Sequence, residues 1–105
     1  MHVLIVEFEL QGIGCHDYEA LTEQVAPAYA QIPGLIEKVW LVDAAAGRAG
    51  GVYKWAGREA CDAYLGGELF AALQAQPALA NVRLRRYDVL EAATAVTRGL
   101  PAVAA

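Results

Sequence analysis

A strand that is apolar on both faces has to be covered twice, and this chain opens with one. In residues 2–10, His-Val-Leu-Ile-Val-Glu-Phe-Glu-Leu, the even positions Leu4, Val6, Phe8 and Leu10 are all apolar, while the odd positions run Val3, Ile5, Glu7, Glu9. The stretch 35–43 behaves the same way: Ile36, Lys38, Trp40 and Val42 alternate with Leu35, Glu37, Val39 and Leu41, and neither side is purely polar. Two more strands are expected at 50–56 and 81–90, the last setting Val82, Leu84 and Arg86 against Arg83, Arg85 and Tyr87.

Helical spacing fills the intervals. Gly12 and Gly14 break the first strand, Asp17 is placed to cap a helix, and Tyr18, Leu21, Val25, Ala28, Tyr29 and Ile32 fall along one side of it. Pro27 lies inside that stripe without a backbone N–H, which predicts a kink or two half-helices. Pro33-Gly34 stops it. Arg58–Leu65 and Glu68–Gln76 share a second helical spacing that Gly66-Gly67 interrupts, giving one broken helix or two short ones before Pro77. A short helix is expected at 91–98, inside an alanine-rich tail (91–105) that ends Gly99-Leu100-Pro101 and beyond.

Strand, helix, strand, strand, helix, strand is the order of a split βαβ pair. It predicts one α+β domain over 1–105, with a four-stranded antiparallel sheet and both helices on one face. The second face of the sheet is then bare although its strands carry apolar side chains there. Hydrophobic residues make up 57% of the chain and charged ones 19%, so that surface needs a cover, and a second copy of the same sheet is the simplest one. A homodimer is expected.

Several classes of function fall away. A net charge of −4 repels phosphate backbones, and Arg83, Arg85 and Arg86 are the sole basic cluster, so no nucleic-acid partner is expected. No apolar run is long enough to span a membrane, and Glu7 and Glu9 interrupt what a signal peptide would need, which points to a cytoplasmic protein with no membrane partner. Cys15 and Cys61 match no metal or redox spacing, and His2 and His16 lie near element ends without ligand companions, so no metal is expected. Gly50-Gly51 and Gly66-Gly67 lack the third glycine and the context of a dinucleotide loop, so no bound cofactor is expected either.

Trp40 on one strand and Tyr53 and Trp55 on the next read either as core packing or as an aromatic-lined pocket built on the sheet. Pro33-Gly34 with Lys38-Val39-Trp40, Ala49-Gly50-Gly51-Val52-Tyr53, Ala63-Tyr64-Leu65 and Tyr87-Asp88-Val89, taken in this order, resemble the YdhR-type monooxygenases, small bacterial proteins of the dimeric α+β barrel group. The resemblance implies a ferredoxin-like protomer, a dimer, and a cofactor-independent oxygenase acting with O2 on a small phenolic or polycyclic aromatic molecule. An isomerase or cyclase on a similar ring, or a non-catalytic dimer that binds an aromatic metabolite, would use the same residues.

Such an oxygenase needs only to bind a phenol, favour its anion and exclude water. In that role Trp40 and Trp55 stack on a flat ring, Tyr53 hydrogen-bonds a ring oxygen or relays a proton, and Lys38 or Arg86 stabilises an oxyanion. Tyr53, Trp40 and Arg86 are the catalytic candidates, and Lys38, Trp55, Phe8 and Tyr64 the substrate-binding ones. Each has a plainer reading. Lys38 pairs with a rim carboxylate, Arg83, Arg85 and Arg86 offset Glu7 and Glu9 on a neighbouring strand, Tyr64 and Tyr87 pack in core or interface, and Asp88 ends a strand.

Overall fold

The computed structural model describes residues 1–98, so the Gly99-Leu100-Pro101 end of the tail lies outside the described residues. Eight elements follow one another: β1 (His2–Leu10), α1 (Cys15–Ala30), β2 (Leu35–Asp43), β3 (Arg48–Trp55), α2 (Arg58–Leu65), α3 (Glu68–Ala75), β4 (Leu79–Asp88) and α4 (Glu91–Val96). The strands form one antiparallel sheet in the order β2-β3-β1-β4. This is the ferredoxin-like α+β fold, with β1 and β3 inside and β2 and β4 at the edges.

Burial follows the alternation in β1. His2, Leu4, Val6 and Phe8 are buried under the helices, and Tyr18 and Tyr29 of α1, Cys61 and Tyr64 of α2 and Phe70 of α3 complete the core from above. Register sets Val39, Val52, Ile5 and Arg85 in one row across the opposite face, with Leu41, Gly50, Glu7 and Arg83 in the next. On that face Val39, Leu41 and Tyr87 are exposed, which is the bare apolar surface anticipated from the two-sided strands.

Local chemistry departs from expectation in three places. Asp17 does not cap α1: the helix starts at Cys15 behind Gly14, no side chain caps it, and Asp17 supplies negative charge to the first turn instead. Pro27 neither splits α1 nor sits in the core; it is exposed near the C-terminal end, and the helix runs through it to Ala30. β4 starts two positions earlier than the predicted 81, at Leu79, because Asn81 takes a positive φ of 55° where pairing with β1 shifts between Glu7 and Glu9. That bulge lets Leu79 stay buried opposite Leu10 ahead of the regular alternation. The Gly66-Gly67 interruption yields two short helices, capped by Gly66 and started by Gly67.

Candidate functional site

Between the covered face of the sheet and helices α1 and α3 lies a cavity of about 120 Å³. Its floor is Phe8 of β1, Lys38 and Trp40 of β2, and Gly50 and Tyr53 of β3. Its walls are Tyr18, Leu21, Val25 and Tyr29, one stripe of α1, with Leu69 and Leu73 from α3 and Leu79 from β4. Lining this apolar suggests an apolar occupant, and a cavity of roughly 150 Å³ holds one benzene ring.

Lys38 is the only cation among the lining residues. Register places it opposite Tyr53, and its amine sits over three ring faces: 3.2 Å from the centroid of Trp40, 3.8 Å from Tyr29 and 4.5 Å from Tyr53. The expected rim carboxylate goes to the neighbouring lysine instead, since Glu37 pairs with Lys54 at 3.1 Å. Among the described residues no carboxylate stands within ion-pairing distance of Lys38. Burial lowers its pKa from 10.5 to about 7, because the ammonium gives up water and gains only ring faces in exchange.

Two glycines make this geometry possible. A Cβ on Gly51 would lie 2.9 Å from Cε of Lys38 and 3.3 Å from Cε1 of Tyr53, so the missing side chain is the space in which the lysine stem lies. A Cβ on Gly50 would meet the Val6 carbonyl oxygen at 2.0 Å, which brings the β1 and β3 backbones together below the cavity. The pair thus serves close approach within β3.

Behind the cavity the hydroxyls of three tyrosines are linked. Tyr64 bonds to Tyr29 at 2.9 Å and to Tyr53 at 3.1 Å. Burial raises the pKa of Tyr53 and Tyr64, and that of Tyr18 to about 12, so these phenols stay protonated and act as donors rather than as bases. Trp55 lies stacked on Tyr53, ring centroids 5.9 Å apart and planes 6° from parallel, with its buried Nε1 unpartnered among the described residues.

The structure therefore brings Phe8, Lys38, Trp40 and Tyr53 to one cavity, and Tyr64 stands behind it, joined to the lining through the hydroxyls of Tyr29 and Tyr53. Trp55, at 0% exposure and absent from the lining, packs behind Tyr53 rather than against an occupant. Arg86 is elsewhere: its Nε donates to His2 Nε2 at 3.1 Å, its guanidinium reaches Asp62 at 2.6 Å, and His2 Nδ1 lies 2.9 Å from Asp88. Arg85, on the bare face, pairs with Glu7 at 2.9 Å, while Asn81 takes Glu9. Tyr29 belongs to the site although the sequence marked it only as one position of a helical stripe. Its signal was present, since a stripe carrying two tyrosines must face the sheet, but which strand it meets depends on how the helix lies.

A four-stranded antiparallel sheet with helices on one face, and an aromatic-lined, lysine-bearing cavity between the two layers, defines the chain as a small ferredoxin-like α+β protein. Within that class, residues 3–100 match the family described as "Putative mono-oxygenase ydhR", and the chain belongs to that family. Among solved structures it is similar to NE2512 from Nitrosomonas europaea, a protein of unknown function (20% identity over 85% of this chain and 88% of that one, TM-score 0.72). It is also similar to SnoaB, a cofactor-independent oxygenase from Streptomyces nogalater (16% identity, 86% and 93% covered, TM-score 0.68). A third is the heme-degrader MhuD from Mycobacterium tuberculosis, solved with two hemes in its active site (22% identity, 86% and 96% covered, TM-score 0.68). At these identities the likeness is one of fold. No curated protein matches the chain.

Proposed function

We propose that the protein is a cofactor-independent monooxygenase that oxidises a phenolic ring held against Lys38. The observation that carries this reading is the unpaired amine among three aromatic faces on the floor of a ring-sized cavity. Family membership and the oxygenase among its structural neighbours support the reaction class.

The cavity volume favours a single-ring phenol, or the terminal ring of a polycyclic one, over a whole polycyclic molecule. The neutral amine of Lys38 accepts the phenolic proton, and the resulting ammonium holds the phenolate. That anion passes one electron to O2, the radical pair couples to form a ring C–O bond, and the peroxide loses water. One oxygen atom stays on the carbon as a quinone and the other leaves as water. Tyr53, kept protonated, donates a hydrogen bond to the ring oxygen, while Trp40 and Phe8 hold the ring face. Neither histidine lines the cavity: His2 is buried beside Arg86 and Asp88, and His16 stands exposed at the start of α1. The cavity therefore offers no histidine to a haem iron.

The same reading includes a cytoplasmic homodimer whose two sheets cover each other's bare face, burying Val39 and Leu41. Sedimentation at micromolar concentration is expected to give the dimer mass, and Val39→Lys to shift it toward monomer. A wild-type monomer would remove the sheet-to-sheet assembly.

Oxygen uptake with product mass analysis, for protein stripped of metal and offered single-ring phenols, hydroquinones and anthrones, tests the activity. Uptake above a protein-free control, with one oxygen atom gained, is expected. Tight binding of the same compounds without uptake would replace the oxygenase by a binding protein or, if a rearranged product appears, by an isomerase.

A further inference from the structure

The chain has two lysines, and they sit in opposite environments. Lys54 is tied to Glu37. Lys38 has no such tie, and its amine is in a ring-lined pocket from which Gly51 has been cut back. The general-base role uses the lone pair of that amine for a proton, but a lone pair beside a ring-sized cavity can equally attack carbon.

We propose that Lys38 is a covalent capture site for single-ring aromatic aldehydes and ketones, which it holds as an imine with their ring in the cavity. The amine attacks the carbonyl carbon, the C–N bond forms as the π pair moves to oxygen, and a proton passes from nitrogen to that oxygen to give a carbinolamine. Loss of the hydroxyl as water leaves the C=N bond, with no oxidant or reductant consumed. The iminium that follows protonation stays positive and remains over the faces of Trp40 and Tyr29, which favour a cation whether it is an ammonium or an iminium. Its lowered proton affinity supplies free amine at neutral pH. The ligand class follows from the site: a flat apolar ring for the cavity and a carbonyl for the nitrogen. An aromatic acid is disfavoured, because its carboxylate would be buried with a lone half-neutral amine for a partner.

This goes beyond the oxygenase reading and does not depend on it, since capture requires neither O2 nor a phenol. The test uses the full chain with benzaldehyde and cyanoborohydride under argon at pH 7, followed by peptide mapping. One benzyl group on Lys38, added at least about tenfold faster than on Lys54, is expected. Lys54→Arg, which leaves Lys38 as the single lysine, should add it at the wild-type rate, and Lys38→Met should lose the fast addition. Equal rates at the two lysines, or fast addition at the N-terminal amine alone, would overturn the proposal. An aldehyde on the middle of three fused rings, which cannot put a terminal ring in the cavity with its carbonyl at the amine, should show no preference for Lys38; a preference that persisted would overturn the single-ring assignment. Capture without oxygen uptake would leave this site standing and remove the oxygenase, and uptake without capture would do the reverse.

Discussion

Two clusters of basic groups lie on the helix-covered side of the sheet, one against α2 and the other under α1 and α3, and they handle the loss of water differently. At one, His2 is 1% exposed yet has Asp88 on Nδ1 and Arg86 on Nε2, and Arg86 goes on to Asp62 of α2. Both ring nitrogens of the buried histidine have protein partners, and the chain ties β1, β4 and α2 together. At the other, Lys38 has three rings and a cavity. In the first the buried histidine is fully paired, while in the second the lysine keeps its hydrogen-bonding capacity free beside a cavity. Pairing of both histidine nitrogens makes a structural joint, and an unpaired amine beside a cavity makes Lys38 the candidate site.

The comparison breaks most decisively at Lys38. Lys38→Met keeps the stem length, removes the amine and should cut oxygenase turnover by about 10²–10⁴-fold, the range a positioned acid or base contributes. The same variant should be no less stable than wild type near pH 7, because a poorly solvated ammonium is replaced by an apolar side chain. In the wild type kcat/KM should rise through pH 7 as the amine loses its proton. Turnover that survives the substitution would move Lys38 from the chemistry to packing.

Arg86→Met should do the opposite. It strands the acceptor nitrogen of a buried histidine and releases Asp62, for a loss on the order of 1–3 kcal/mol in unfolding free energy, with turnover per folded molecule unchanged. Chemical denaturation paired with oxygen uptake separates the two quantities. A variant of normal stability with lost turnover would place Arg86 in the reaction after all, as its residue type had suggested.

The fold was more legible than the site, for a physical reason. Period-two alternation in β1 and β2 and the glycine and proline stops mark the strand segments, and the two-sided hydrophobicity of β1 implies the bare face. Lys38, Trp40 and Tyr53 were also readable, because parity along β2 and β3 puts them on one face once the register matches Lys38 with Tyr53. What alternation cannot carry is position across the sheet. Arg86 shares the helix-facing side with Tyr53, since Leu4 is opposite both, but β4 is on the far side of β1 and Arg86 meets α2 there. Trp55 likewise has the right parity, but its place at the end of β3 puts it behind Tyr53. Tyr29 was missed because a helical stripe says which side faces the sheet and not which strand it crosses.

The smallest effect expected is also the one that reads the Lys38 environment without a substrate. In the unfolded chain this amine titrates near 10.5 and in the folded protein near 7, so between those values the unfolded state holds a proton that the folded state has released. Stability rises with pH wherever the unfolded state binds more protons, and the slope from one such group is at most about 1.4 kcal/mol per pH unit. Below pH 7 both states are protonated and the contribution is flat. Above about pH 10 the buried tyrosines reverse the trend, because Tyr18, Tyr53 and Tyr64 keep protons that the unfolded chain gives up. The lysine therefore dominates between pH 7 and 9, with the buried Cys61 thiol, whose pKa burial also raises, working against it toward the upper end. Across that window the wild type should gain about 1–2 kcal/mol, reduced from the two-unit maximum because Lys38 retains some solvent contact. Lys38→Met should remove that gain, and Arg86→Met should keep it while lowering the whole curve. A wild-type curve that is flat over this window would mean that the rings and residual water hold the ammonium as well as bulk solvent does. Lys38 would then be a cation at neutral pH, and both proton abstraction and carbonyl capture would have to begin from another group.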